Sequence, residues 1–154
     1  MHYVSRTDQA GTMMPILLPA ATLLLIPFLF QNLQYRGMWL VLAGLVLNLV
    51  AMAANGGLMP TDAAAVEAVG VHSVADLRVG EPIPGTKNIL MDRGEIRLRE
   101  LSDAIILPFP RPFTRVVSAG DLLILLGMVL TFVELVRRWG SGEWPGHAAV
   151  PQRT

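Results

Sequence analysis

The stretch Gly37-Met-Trp-Leu-Val-Leu-Ala-Gly-Leu-Val-Leu-Asn-Leu-Val-Ala-Met-Ala-Ala54 decides the fold class, because no residue in it is ionisable. As a helix it rises roughly 27 Å, close to the bilayer hydrocarbon thickness of about 30 Å. Hydrocarbon offers the backbone no water to bond, so such a span closes its own hydrogen bonds as a helix. Upstream, Met13 to Phe30 is equally free of ionisable residues. Downstream, Leu122 to Val133 is uncharged, and Glu134 to Trp139 prolongs it. The pattern predicts an all-α integral membrane protein with three transmembrane helices.

Composition agrees with that expectation. Of 154 residues, 53% are apolar and only 16% charged, whereas soluble domains are about a quarter charged. Twelve Lys and Arg balance twelve Asp and Glu, so the electrostatic footprint of a nucleic-acid partner is missing. Cysteine is absent, which excludes disulfides, thiolate zinc sites, iron–sulfur clusters and cysteine nucleophiles.

The first span carries Pro15, Pro19 and Pro27 and is expected to be kinked or to start late. A signal peptide is the rival reading. Asp8 in the would-be basic region, and Gln31-Asn32 with no small-residue cleavage site, favour a retained anchor. Residues 1–12 form a tail, 13–54 two spans joined by a turn at 31–36, 55–118 a polar excursion, 119–139 the third span, and 140–154 a disordered tail. Arg36, Arg137 and Arg138 against Arg111 and Arg115 vote for an inner turn and tail, an outer excursion and an outer N-terminus. The membrane is then the inner membrane of a bacterium, crossed several times, with Tyr35, Trp39 and Trp139 at its inner interface.

Within the excursion, Pro60-Thr61 followed by Asp62 to Val69 reads as a short helix ended by Gly70. Ser73 and Asp76 have capping-box spacing. Asn88 to Met91, Asp92 to Glu95 and Ile96 to Arg99 read as a β-hairpin around a glycine-containing turn. Leu101 to Phe113, broken by Pro108, Pro110 and Pro112, is expected to lie along the membrane surface.

Two spans carry a small or polar stripe at helical spacing: Gly44, Asn48, Ala51 and Asn55 on one, Gly127, Thr131, Glu134 and Arg138 on the other. Antiparallel packing through these stripes is expected, with Asn48 at the depth of Gly127 and Thr131 near Gly44. Capping explains further polar residues. Asn55 and Gly56 suit a helix C-terminus, and Ser118 with Asp121 suits an N-terminus and its dipole. His72 lacks partners at metal-ligand spacing, and no cofactor fingerprint is present.

The ordered motifs Asn55-Gly-Gly-Leu-Met-Pro60, Asn88-Ile-Leu-Met91, Leu101-Ser-Asp-Ala-Ile105 and Val117-Ser-Ala-Gly-Asp-Leu-Leu-Ile124 resemble those of an uncharacterised family of small bacterial membrane proteins, domain of unknown function 5317. The resemblance covers roughly residues 36–137 and implies location and architecture without an activity. A partial similarity to lipoprotein signal peptidases rests on Asn55, Asn88, Asp92-Arg93, Asp103 and Asp121-Leu-Leu-Ile-Leu-Leu-Gly127. It implies an aspartate dyad of Asp103 and Asp121, supported by Asn55 and Asn88. Gly120 departs from that family's pattern, which has Ala before the second aspartate, and polar sequence stands at 56–87 where the family has two spans.

The functional expectation is a non-enzymatic accessory or assembly subunit whose partners are the lipid bilayer and other membrane proteins or itself. The alternatives are an aspartate-dyad membrane hydrolase acting at the outer face, and a small oligomeric transporter or lipid-binding component. No cofactor and no metal are expected.

Overall fold

The computed structural model describes residues 6–70, 73–110 and 113–140. It is mostly helical with a few three-residue strands: α1 (Arg6–Gln31), α2 (Arg36–Ala54), β1 (Met59–Thr61), α3 (Ala63–Val69), β2 (Asn88–Leu90), β3 (Ile105–Leu107), β4 (Arg115–Val117) and α4 (Ala119–Gly140). Two helices, α2 and α4, are long and apolar enough to cross a membrane, whereas the apolar part of α1 is the shorter Pro15–Gln31. The first helix does not start late. It begins at Arg6 and runs through Pro15, Pro19 and Pro27.

Helices α2 and α4 form an antiparallel pair. A β-carbon built on Gly127 would lie 2.6 Å from the Gly37 carbonyl oxygen, and one on Gly120 equally 2.6 Å from that of Gly44. These distances leave room for hydrogen only, so four glycines spaced by seven set the axis separation. The register differs from the expected one. Gly44 faces Gly120 and Ile124, Asn48 faces Gly120, and Thr131 meets Gly37. The cause is where α4 begins. Its capping turn at Ser118 stands beside Asn48, leaving the last two turns of α2 to pack under the excursion instead. There Ala51 and Met52 join Met59, with Leu18, Leu49 and Leu101 around them.

The far end of the pair is tied by charge. Glu134 accepts from the Arg36 backbone N–H (3.0 Å) and from Arg138 (2.8 Å), and the Arg138 guanidinium lies 5.2 Å from the Tyr35 ring centre. The carboxylate thus caps α2 while pairing within α4.

The excursion folds around its own small core of Val66, Ile83 and Leu90, with Val74 and Leu77 packed against it. Helix α3 forms as expected, with Asp62 accepting from the Ala65 N–H at 2.9 Å and Gly70 closing it. Ser73 makes no side-chain cap to the short 3-10 turn at Val74–Asp76. The expected hairpin of 88–91 with 96–99 does not form. Strand β2 pairs in parallel with β1, Met59 opposite Asn88 and Thr61 opposite Leu90. The turn at Asp92–Glu95 is present (2.8 Å). Beyond it the Asn55 amide takes both backbone groups of Arg97, donating to its oxygen (2.8 Å) and accepting from its N–H (2.9 Å). Leu98, at φ +54°, then turns the chain away into the 3-10 turn Arg99–Leu101. The antiparallel hairpin is instead β3–β4, with Ile105 opposite Val117, and its first strand lies inside the segment 101–113 expected to lie flat on a membrane.

Candidate polar site at the head of the helix pair

Two backbone events deliver the site. Thr61 bridges to Asp103 beside β1. The Asp103 N–H donates to Pro60 (3.2 Å), and Thr61 Oγ1 donates to the Asp103 carbonyl (3.1 Å). This fixes the Asp103 side chain next to Asn88, the first residue of β2. The second event is the start of α4. There Ser118 Oγ accepts from the Asp121 N–H (2.9 Å) while Asp121 Oδ2 accepts from the Ser118 N–H (3.2 Å). That reciprocal capping box satisfies two otherwise orphaned donors.

One chain of contacts links the two events. Asn48 in α2 donates to Asp121 Oδ1 (2.8 Å) and accepts from Ser118 Oγ (2.8 Å). Lys87 Nζ stands 3.4 Å from Asp121 Oδ2 and 3.7 Å from Asp103 Oδ2. Asn88 Nδ2 donates to the same Asp103 oxygen at 2.7 Å. Asp103 and Asp121 therefore share one ammonium. The Asp103 carboxyl is held above the usual carboxylate range, chiefly by burial. Lys87 and the Asn88 donor oppose that rise, and the Asp121 charge adds to it.

Of the residues singled out from sequence, Asn48, Asn88, Asp103, Ser118 and Asp121 meet here. Asn55 does not. Its amide binds Ala51 and Arg97, as a clamp at the C-terminus of α2. Gly56 and Gly57, at φ +79° and +92°, make the turn out of that helix, a conformation glycine adopts without strain. Arg93 lies 3.8 Å from Asp62, in a second cluster that Arg99 also joins. His72 falls outside the described residues. No group of three or more potential metal ligands occurs among the described residues.

Sequence reasoning missed Lys87, the residue on which both carboxylates converge. The signal was its uniqueness, because it is the single lysine in a chain with eleven arginines. A compact ammonium can sit between two carboxylates where a planar guanidinium would prefer to pair with one.

Neither a curated protein nor a solved structure matches the chain significantly. A family profile described as a family of unknown function (DUF5317) matches residues 1–133. That region includes α1 as well as every residue of the polar site, and on this match the chain belongs to the DUF5317 family.

Proposed function

We propose that this chain is a non-enzymatic membrane protein, an accessory or assembly component, in which the polar site joins the excursion to the helix pair. The observation that carries this reading is the saturation of Asp121. Its Oδ1 is taken by Asn48, and its Oδ2 by the Ser118 N–H and Lys87. An aspartate-dyad hydrolase needs two carboxyls that share a proton and a water. Here an ammonium stands between them, and one carboxyl caps a helix. Ser118 is fully buried and bonded on both sides, so it is likewise committed to structure.

The large apolar side chains that α4 leaves uncovered, Leu125, Met128, Val129 and Phe132 among them, supply the contact surface for lipid and for other membrane proteins. In this reading α1 also crosses, the N-terminus and excursion lie outside the bacterial inner membrane, and the 31–36 turn and C-terminal tail lie inside. Purification from native membranes in mild detergent, with mass spectrometry of what co-elutes, tests the assignment. Stoichiometric larger membrane proteins are the expected result. A lone chain that cleaves a lipidated peptide, with the cleavage lost in Asp103→Asn and Asp121→Asn, would contradict it.

A further inference from the structure

Beneath α3, between Ile83 and the β3–β4 hairpin, lies a cavity of about 220 Å³. Val66 and Val69 of α3 and Ile83 give it an apolar wall, and Thr61, Asn88, Asp103 and Arg115 line it with polar groups. An apolar cavity of about 150 Å³ holds benzene, so this one has room for a ring bearing a polar substituent. Apolar walls with a few converging polar groups are the usual form of a small-molecule site.

A second observation points the same way. Asp103 is only 3% exposed, and its Oδ2 is taken by Asn88 and Lys87. Its Oδ1 is buried with no hydrogen-bond partner among the described residues. Native proteins leave few buried polar atoms unpaired, since each forfeits the hydrogen bonds it would make in water. Oδ1 accepts a hydrogen bond when the carboxyl is ionised and donates one when it is protonated. A hydroxyl serves both states, whereas an ammonium serves only the first.

We propose that this cavity binds a small hydroxyl-bearing molecule with a compact apolar body, the hydroxyl at Asp103 and the body against Val66, Val69 and Ile83. The proposal is independent of the accessory role and stands or falls without it. Its test uses the full chain in lipid nanodiscs with labelled Ile and Val methyls, and benzyl alcohol as probe. A saturable shift of the Ile83 methyl is expected, weakened at least tenfold in Val69→Phe, with benzylammonium binding more weakly than the alcohol. Ile124 in α4 reports that the fold is intact. Should Val69→Phe disturb Ile124, the smaller step Val69→Leu replaces it and is expected to weaken binding at least threefold. No saturable shift, a shift unchanged by filling the cavity, or tighter binding of benzylammonium would each overturn the proposal.

Discussion

At the scale of single residues, Lys87 decides how the polar site behaves. Its ammonium lies within 4 Å of both Asp103 and Asp121. Replacing it by Met leaves two acidic groups facing one another, one of them deeply buried. Lys87→Met is expected to lower stability by about 2 kcal/mol, because losing one partner of a buried pair strands the other. Unfolding in a detergent titration measures that loss. Adding Asp121→Asn to the same chain is expected to recover part of it, which an independent effect would not do.

Asp103 gives a pH signature whose sign follows from its burial. The folded carboxyl holds its proton more tightly than the unfolded one, so folding takes up a proton between the two pKa values. The contribution of Asp103 to stability is therefore full below the unfolded value, about 3.9. It is lost as pH rises through the elevated folded value. Unfolding midpoints of wild type and Asp103→Asn across that window check this. The wild type is expected to lose ground relative to the variant as pH rises, and a constant difference would remove Asp103 as the cause.

Between elements, much of the α2–α4 pairing was legible in the sequence, and its register was not. The stripes of Gly44 and Asn48 on one helix and Gly127 on the other announce close packing. Depth is set by where α4 begins, and that depends on which polar group Ser118 and Asp121 find across the interface. The partner is Asn48, in the interior of α2. The hairpin failed for a similar reason. Local pattern favoured 88–91 with 96–99, but the Asn55 side chain, far away in sequence, holds the Arg97 backbone, and β2 pairs with β1 instead. Long-range side-chain capture of this kind leaves no periodic trace, so pattern reading passes over it.

Those contacts have measurable consequences. Asn55→Ala strands both Arg97 backbone groups and is expected to cost about 1–3 kcal/mol for the pair. Gly127→Ala puts a methyl against the Gly37 carbonyl oxygen and is expected to cost about 1–3 kcal/mol through overpacking. Gly140→Ala is the control on the same helix, because nothing lies within 4 Å of its added carbon. It is expected to be neutral or stabilising by up to about 1 kcal/mol. Equal effects of the two alanines in an unfolding titration would place the helix interface elsewhere.

For the whole molecule, the central proposal is that α2 and α4 cross a membrane as an antiparallel pair, with the polar site and the excursion at one end. Native chains lacking cysteine make this directly measurable, since any introduced thiol is unique. Single cysteines at Arg78, in the excursion, and at Val150, beyond α4, bracket one crossing. Gln34, before α2, brackets the other. Labelling of intact cells with a membrane-impermeant maleimide is expected to modify position 78 at once, and positions 34 and 150 only after permeabilisation. Labelling of 78 and 150 from the same side would contradict a membrane-crossing α4, and labelling of 150 but not 78 from outside would reverse the orientation.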